Sequence, residues 1–269
     1  MSKVSDGNMF AEERKHMIVD LVNKDIKTTV NSLCEKFSVS PATIRNDLRE
    51  LEDAGLLKRT HGGAISNIKA NYEPNAYQKE VENVVEKKAI AKSAIQYIHE
   101  GDTIAIDTGT TTFELAKLLV TYEDLTVVTN DLQIAAFLER NGKANIIIAG
   151  GAVRRNFHCT AGQKAIDTLQ DLNVDKTFVA ANGVSIKRGI STPNIDTAHV
   201  KEKLVSLGDK VILLADSTKF NTSTFVKFAD LSDIDLIITD SKVNEEYAEA
   251  LEQADVHVEK AKVNQNANI

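Results

Sequence analysis

Apolar residues in the first seventy positions recur at the spacing of short amphipathic helices. Within residues 30–37 they fall at i, i+3, i+4 and i+7, which gathers them on one helical face. A similar stripe begins at Ile44, and another lies within residues 9–22. Three short helices can therefore share one small core. Their apolar positions are Phe10, Met17, Ile18, Leu21 and Val22, then Val30, Leu33, Cys34 and Phe37, then Ile44, Leu48 and Leu51.

Turn signals separate these predicted helices and follow the last one. Ser40 before Pro41 is a strong helix start, because the hydroxyl accepts a hydrogen bond from a first-turn amide and proline fills a position that needs no donor. Gly55 is expected to end that helix, and the run LLKRTHGGA predicts a basic hairpin that turns at Gly62 and Gly63. This order predicts an N-terminal winged helix-turn-helix, mainly α, with double-stranded operator DNA as its partner.

The outer face of the third predicted helix carries short polar and cationic side chains that can reach base edges and phosphates. We predict that it is the recognition helix and that the hairpin touches the DNA backbone. The alternative is a protein-interaction module in which Arg45 and Arg49 pair with neighbouring carboxylates. The predicted DNA-binding residues are Ser40, Ala42, Thr43, Arg45, Asn46, Arg49, Lys58, Arg59 and His61.

The charge distribution requires any DNA footprint to be local. Residues 1–70 contain 11 Lys and Arg against 10 Asp and Glu, a net of +1, whereas the remainder contains 21 against 29, a net of −8. A small interface of this kind predicts modest affinity for each copy. We therefore expect a homo-oligomer, dimer or tetramer, on adjacent half-sites.

In the second half of the chain, short apolar runs rich in β-branched residues alternate with helical segments. The runs are nearly continuously apolar, as strands buried on both faces should be, and the alternation predicts an α/β domain with a mostly parallel, doubly wound sheet. The polar residues between the two halves lack a clear period and are interpreted as a linker. The predicted organisation is 1–65 for DNA binding, 66–86 for the linker, 87–260 for effector binding and oligomerisation, and 261–269 for a polar tail.

Ligands of such sheets bind beyond the carboxyl ends of the strands. The strongest candidate is Asp107–Thr112, DTGTTT, between the run TIAI and the helical segment FELAKLL. Gly109 permits close backbone approach, Thr110, Thr111 and Thr112 offer hydroxyls, and a helix N-terminus favours a phosphate. Asp107 could accept hydrogen bonds from sugar hydroxyls or cap the turn. A threonine-capped helix start without a ligand is the alternative.

Two other strand ends are expected to reach the same edge of the sheet. Thr129 and Asn130 follow one apolar run, and Gly150 with Gly151 follows the next. Paired glycines expose backbone amides, and a nearby arginine, Arg154 or Arg155, could pair with phosphate bidentately. A plain turn explains the glycines equally well.

Composition narrows the class of protein. At 269 residues, and with roughly 150 residues for a typical domain, the chain is expected to form two domains, and its 42% hydrophobic and 26% charged residues are ordinary for a soluble globular protein. Cys34, Cys159 and the histidines match no metal-ligand spacing, so we expect neither a metal nor a cofactor. His158 and Cys159 are adjacent and are interpreted as structural. No signal-peptide or membrane-spanning run is present, which predicts a cytoplasmic protein without a membrane partner.

Several ordered motifs resemble one family. Arg14, Ile18, the run SPATIRNDLRELEDAGLLKRTHGGA, and the later IDTGTTT, VVTNDLQIA, IAGGAVRR and LLADSTKF are similar to the DeoR/GlpR-type bacterial transcriptional repressors. The resemblance spans nearly the whole chain. It implies operator binding by the N-terminal domain and binding of a phosphorylated sugar or sugar metabolite by the C-terminal one. It also implies that Lys219, beside Asp216, contacts the effector.

The chain departs from the family pattern at two places. The recognition helix more often has two adjacent basic residues, whereas here Arg45 is followed by Asn46, which suits adenine. Family members commonly have an acidic residue just before the alanine of NIDTAHVK, whereas this chain has Thr197 there. The operator sequence and the sugar specificity therefore cannot be transferred from relatives.

An enzyme is the main alternative function. The second half also resembles, at the level of fold, sugar-phosphate isomerases of the ribose-5-phosphate type, and Asp107, Asp216 and Lys219 could supply an acid, a base and an electrophile. Fold-level analogy is a weak reason to assign an activity. We therefore expect a repressor of sugar transport or catabolism genes that is released by a phosphosugar; an activator would share the architecture.

Overall fold

A computed structural model of the chain describes residues 11–25, 27–54, 56–66 and 73–262. The chain divides into two compact units between residues 72 and 73.

The first unit contains three helices and a small antiparallel sheet in the strand order β1-β3-β2. The helix-turn-helix and the hairpin form where the sequence pattern predicts them, and the third strand, β1, was not predicted. The elements are α1 (Ala11–Asp25), β1 (Lys27–Thr29), α2 (Val30–Phe37), α3 (Pro41–Asp53), β2 (Leu57–Thr60) and β3 (Gly63–Ser66).

Local chemistry explains the boundaries of these elements. Ser40 Oγ accepts a hydrogen bond from the amide of Thr43 at 3.2 Å, and Pro41 opens α3, as predicted. Ser38 adopts a left-handed conformation after α2. A Cβ on Gly63 would lie 1.9 Å from the carbonyl oxygen of Thr28, so only glycine allows β3 to pair so closely with β1. The predicted helix stop, Gly55, lies outside the described residues, and α3 ends at Asp53.

The core of the first unit follows the predicted stripes with small differences. Cys34 and Phe37 are only partly buried, and Met17 is exposed. Phe10 lies outside the described residues. The fully or nearly fully buried side chains are Ile18, Val22, Val30, Leu33, Ile44, Leu48, Leu51, Leu57 and Ala64.

The second unit is an α/β domain, in agreement with the predicted fold class. Its helices are α4 (Ala76–Val81), α5 (Val84–Ala94), α6 (Thr110–Leu118), α7 (Leu132–Asn141), α8 (Gln163–Leu169), α9 (Ile195–Val205) and α10 (Glu245–Glu252), with short 3-10 turns at 95–97, 119–121, 217–219 and 231–233. Its strands are β4 (Thr103–Ile106), β5 (Thr126–Thr129), β6 (Asn145–Ile148), β7 (Ala152–Arg154), β8 (Cys159–Ala161), β9 (Val174–Ala180), β10 (Gly183–Ser185), β11 (Gly189–Thr192), β12 (Gly208–Leu214), β13 (Val226–Ala229), β14 (Leu236–Asp240) and β15 (His257–Ala261).

Seven strands form one parallel sheet in the order β15-β14-β12-β9-β4-β5-β6. The chain lays down β4, β5 and β6 toward one edge, returns to place β9 beside β4, and then continues toward the other edge. The order therefore reverses between β4 and β9. Ligands of open α/β sheets bind beyond the carboxyl ends of the strands at such a reversal.

Alternating residues of the central strands face two separate cores. Ile212 packs with residues of α5 and α6, whereas Leu213 packs on the other face with residues of α9 and α10. Burial on both faces explains the continuously apolar runs. β6 is the exception, because it lies at the sheet edge and leaves Ile147 and Ile148 exposed.

The predicted domain limits differ from the structure at two places. The interval 66–86, interpreted as a linker, contains α4 and the start of α5, and residues from Glu73 onward belong to the second unit. Polar exposed faces hid this short helix, which Asn75 caps. Ala261, assigned to the tail, ends β15, and residues 263–269 lie outside the described residues. The small sheet β10-β11-β13 and the hairpin β7-β8 were also not predicted, because strands of three or four residues carry little periodic signal.

Candidate effector cleft and DNA-binding surface

The predicted DNA-binding residues lie on the surface of α3 and on the hairpin. Eight of them are exposed, and Thr43, whose amide and hydroxyl bond to Ser40, is half-buried. The exposed residues are Ser40, Ala42, Arg45, Asn46, Arg49, Lys58, Arg59 and His61.

Hydrogen bonds orient the polar side chains along this surface. Arg49 Nη2 donates to Asn46 Oδ1, and Asn46 Nδ2 donates to Glu50 Oε1 at 2.8 Å. Glu50 accepts a further bond from Lys15 of α1 at 3.0 Å, and that bond lowers the pKa of Glu50. Arg49 therefore bonds to the amide oxygen of Asn46 and not to a neighbouring carboxylate. The hairpin residue Arg59, in contrast, pairs with the carboxylate of Glu52 at 2.6 Å.

A buried ion pair fixes α3 against α1. Arg14 donates from Nε and Nη2 to the two carboxylate oxygens of Asp47 at 2.7 and 3.1 Å. Asp47 raises the pKa of Arg14, since the charged guanidinium is held by two bonds. Asp47 thus faces the interior and holds α3 in place, leaving its neighbours Arg45, Asn46 and Arg49 to face outward.

A cleft in the second unit lies at the reversal point between β4 and β9. The loops after β4, β5, β9 and β12 contribute to it, together with α4, α9 and β7. Of the predicted effector residues it brings together Gly109, Thr110, Thr111, Arg154 and Lys219. The other polar and charged side chains that line it are Glu73, Lys79, Glu82, Lys87, Thr108, Asp131, Gln133, His158, Asn182, Thr197, Lys201 and Asp216.

The N-terminus of α6 opens into this cleft. A Cβ on Gly109 would lie 3.0 Å from the Cβ of Ala180, so glycine allows the turn after β4 to pack against the end of β9. The first hydrogen bond of α6 runs from the amide of Phe113 to the oxygen of Gly109 at 2.8 Å. The helix therefore leaves the amides of Thr110 and Thr111 for an anion.

Four other predicted residues lie beneath the cleft and hold its loops. Thr129 Oγ1 donates to the oxygen of Ile106 at 2.6 Å, and Thr112 Oγ1 donates to that of Gly109 at 2.8 Å. Asn130 Oδ1 accepts from the amide of Thr108 at 3.1 Å. These side chains and Asp107 are buried, and none is among the lining residues.

The paired glycines support the hairpin β7-β8. Gly151 has φ +139°, and a Cβ there would lie 2.9 Å from the oxygen of Ala161. Gly150 and Gly151 do not line the cleft, but the turn they form carries Arg154 into it. Arg155, the alternative cation, is exposed.

Lys201 supplies a buried cation that the sequence analysis missed. Lys201 lies on α9, and its side chain is 4% exposed. Its Nζ forms an ion pair with Asp107 and donates to the backbone oxygen of Ala180 at 2.9 Å. Burial raises the pKa of Asp107, while Lys201 opposes that shift. Asp107 Oδ1 has no hydrogen-bond partner within the described residues. The carboxylate predicted to bind a sugar is therefore the counter-ion of Lys201.

Two further lysines reach the cleft, Lys79 from the predicted linker and Lys87 from the first position of the predicted effector domain. Lys79 Nζ donates to Glu73 Oε1 at 2.7 Å, and Lys87 Nζ donates to the backbone oxygen of Glu82 at 2.6 Å. Burial lowers the pKa of both lysines. Lys219, as expected, stands beside Asp216, with 3.8 Å between Nζ and Oδ2. With Arg154 and Lys201, five cations converge on one small volume.

His158 and Cys159, which were interpreted as structural from the sequence, both line the cleft. The His158 ring packs edge-on against Tyr77 at 5.0 Å between centroids. Burial raises the pKa of Cys159 to about 11, so the thiol is neutral near pH 7. Within the described residues, no group of three or more His, Cys, Asp or Glu could hold a metal ion.

Comparison with known families identifies both units. The DeoR-like helix-turn-helix domain matches residues 14–70, and the DeoR C terminal sensor domain matches residues 82–241. The chain belongs to the DeoR family of transcriptional regulators. As in that family, its first unit binds DNA and its second is a sensor domain for a small-molecule effector.

Curated DeoR-family relatives align over nearly the full chain. The HTH-type transcriptional regulator GlpR of Haloferax volcanii is 39% identical, covering 93% of this chain and 98% of that protein. The putative aga operon transcriptional repressor of Escherichia coli O157:H7 is 34% identical, covering 91% and 92%. The transcriptional repressor AccR of Agrobacterium fabrum is 37% identical, covering 86% and 90%.

Similarity to solved structures is much weaker. Ribose 5-phosphate isomerase A from Neisseria gonorrhoeae aligns with 51% of this chain and 53% of its own, at 14% identity and a TM-score of 0.38. That value is too low to support an argument about activity.

Among the described residues of this DeoR-family chain, no helix is long and apolar enough to span a membrane.

The cleft cations that sequence reasoning missed share one property. Lys79, Lys87 and Lys201 lie on helices, where a lysine ordinarily faces solvent, and only the tertiary structure shows that Lys79 is half-buried and that Lys87 and Lys201 are buried. One local signal existed for Lys201. It follows Ala198 and precedes Leu204 on the apolar stripe of α9, a position that normally faces a core.

Proposed function

We propose that this DeoR-family regulator is a repressor that binds operator DNA through α3 and the hairpin and is released when a phosphorylated sugar binds the cleft. The observation that carries the proposal is the convergence of Lys79, Lys87, Arg154, Lys201 and Lys219 near the N-terminus of α6, at the reversal point of the sheet. Cations and helix amides together favour a phosphate.

The rest of the lining suits a polyol. Thr108, Asp131, Gln133 and Asn182 offer donors and acceptors for sugar hydroxyls around the cation cluster. Asp131 is fixed by the hydroxyl of Thr108 at 2.7 Å and by two amides of α7, so its position does not depend on a ligand. We assign the phosphate to the amides of Thr110 and Thr111 with Lys219, and the hydroxyls to the polar side chains around them.

On the DNA side, Arg45, Asn46 and Arg49 would meet base edges. Ser40, Ala42 and Thr43 at the start of α3, with Lys58, Arg59 and His61 on the hairpin, would meet phosphates or the base edges nearest them. Because this surface is small, two or more copies of the chain would bind repeated half-sites as a homo-oligomer.

Effector binding and DNA binding are thermodynamically linked in this proposal. A phosphosugar that prefers the conformation with poor DNA affinity must weaken DNA binding by the ratio of its affinities for the two conformations. A tenfold loss requires only about 1.4 kcal/mol of coupling.

The geometry gives the isomerase alternative little support. Of its three candidate residues, Asp107 is buried beneath the cleft and paired with Lys201, so it is not placed to touch a substrate. We therefore propose binding without catalysis.

Fluorescence anisotropy tests the proposal. The protein is titrated with its own upstream duplex and a scrambled duplex at one stated salt concentration, because phosphate contacts dominate affinity. A panel of phosphorylated sugars and their unphosphorylated parents then follows. We expect selective binding that one phosphosugar reverses and its parent does not. No preference for the upstream duplex, or isomerisation of a panel member by the protein, would contradict it.

A further inference from the structure

At one end of the cleft, a carboxylate of the chain itself lies between two cations. Glu73 Oε1 accepts from Lys79 Nζ at 2.7 Å, and Glu73 Oε2 accepts from Arg154 Nη2 at 3.1 Å. The Glu73 side chain is 9% exposed. Burial works to raise the pKa of Glu73, but Lys79 and Arg154 outweigh it and the pKa is lowered. Glu73 is therefore an ionised group bound as a ligand carboxylate would be.

Arg154, one of the two cations of this cluster, is held in place by contacts that do not involve Glu73. The guanidinium carbon of Arg154 lies 4.0 Å from the centre of the Phe157 ring, and Nη1 donates to Thr197 Oγ1 at 2.8 Å. Thr197 in turn donates to Asn194 Oδ1 at 3.0 Å. Arg154 would thus keep its orientation if Glu73 left, as a prepared binding group should.

Glu73 differs from the other anions that line the cleft. Asp131 accepts bonds from two amides of α7, and Asp216 accepts one from the amide of Thr218, so both are needed to cap local structure. Glu73 bonds to cations of the cleft through both oxygens and precedes the cap of α4 at Asn75. Displacement of the Glu73 carboxylate by another oxyanion would therefore leave the caps made by Asp131 and Asp216 intact.

The position of Glu73 along the chain makes its replacement consequential. It is the first residue of the second unit, and six residues, 67–72, separate it from Ser66 at the end of β3. A group that removes Glu73 from the cations therefore acts at the point where the chain from the DNA-binding unit enters the sensor domain.

We propose that Lys79 and Arg154, the latter oriented by Thr197, form an oxyanion subsite with Glu73 as its internal occupant, and that a second anionic group of the effector, a phosphate or carboxylate other than the phosphate at the N-terminus of α6, displaces Glu73. This inference rests on the proposed function for the identity of the effector. The added point is that Glu73 is the group through which ligand binding affects the segment before α4. Because Glu73 and the effector compete, removal of the Glu73 charge strengthens anion binding.

Calorimetry on the full chain tests the competition without DNA or a sugar. The probes are inorganic phosphate and acetate, and the variant is Glu73→Gln, which keeps the shape and removes the charge. We expect Kd to fall about three- to tenfold for the anion that uses the subsite. Glu82→Gln is the matched control, because Glu82 also lines the cleft, whereas the ion pairs to Lys79 and Arg154 are made by Glu73. Combining Glu73→Gln with Arg154→Gln should abolish the gain.

The outcomes separate the possible sources of the oxyanion. A gain with inorganic phosphate assigns the subsite to a phosphate group, and a gain with acetate alone assigns it to a carboxylate. An unchanged Kd for both anions in Glu73→Gln, an equal gain in Glu82→Gln, or a gain that persists with Arg154→Gln overturns the proposal. Failure of sugar phosphates to release the operator would instead contradict the proposed function and leave the anion result to be judged on its own.

Discussion

The recognition surface and the effector cleft are built in opposite ways. The recognition surface comes from one continuous stretch, residues 40–61, and its side chains are almost all exposed. The cleft takes residues from Glu73 to Lys219 and contains an ion pair between two almost fully buried side chains, Lys201 and Asp107. A surface made by one helix and one hairpin can be inferred from periodicity, whereas a site made by several strand ends depends on which strands are neighbours.

This difference predicts that mutations in the two regions fail in different ways. Substitution of the exposed residues predicted to bind DNA should change DNA affinity and leave folding intact. Cleft residues that carry buried charges should affect folding and ligand binding together.

The largest effect is expected from Lys201→Met. It leaves the buried carboxylate of Asp107 without its cation, which should cost about 3–5 kcal/mol in the free energy of unfolding. Urea denaturation of the variant and of the double variant Lys201→Met with Asp107→Asn measures this, and the double variant should recover much of the loss.

The pH dependence of Lys201→Met sharpens that test. Burial raises the pKa of Asp107, and the loss of Lys201 removes the strongest opposing influence, leaving only backbone hydrogen bonds such as that from the amide of Ala180. A group with a raised folded pKa favours the folded state at low pH and loses that contribution as the pH rises. The deficit relative to the native protein should therefore shrink as the pH falls. A deficit independent of pH would point to lost packing.

A smaller, purely functional effect is expected from Arg49→Ala. The loss of an exposed base-edge contact should weaken operator binding by about 1–3 kcal/mol without changing the unfolding curve or the effector Kd. Arg140→Ala, which removes an exposed arginine from α7, is the control and should leave DNA affinity unchanged. Equal losses in both variants would mean that Arg49 contributes only general charge.

The smallest effect is expected from Lys219→Ala and Thr111→Val. Lys219 is 27% exposed and Thr111 lies at the start of α6, so each change should raise the effector Kd about tenfold, or about 1.4 kcal/mol, without altering DNA affinity. Operator release titrated with the effector measures it. If both variants release normally, neither Lys219 nor the Thr111 hydroxyl contacts the effector.

Much of the fold follows from short-range patterns. Ser40 and Pro41 begin α3 because capping depends on a few adjacent residues. Apolar runs became the strands β4, β5, β9, β12 and β14 because burial on both faces requires such runs, whereas the run that became β6 lies at the sheet edge. The short helix α4 was not predicted, because its six residues include none that is buried and so show no apolar period.

The candidate site was predictable only in part. Gly109, Thr110 and Thr111 were placed correctly at a strand end, because the strand and the helix that flank them are both clear in the sequence. Asp107, Thr112, Thr129 and Asn130 belong to the same loops, but the structure uses them as buried supports. Residue type alone does not distinguish a side chain that faces a ligand from one that holds a loop.

By itself, the sequence determined the two-domain order, the helix-turn-helix with the Ser40 cap of α3, and the α/β character of the second half, because these depend on hydrogen bonds and periodicity within a few residues. Only the tertiary structure decided that β4 lies beside β9, that Lys201 meets Asp107 across 94 positions, and that Glu73 meets Arg154 across 81. Such contacts arise from the packing of the whole sheet, since no local pattern specifies which distant charges become neighbours when apolar strands are buried together.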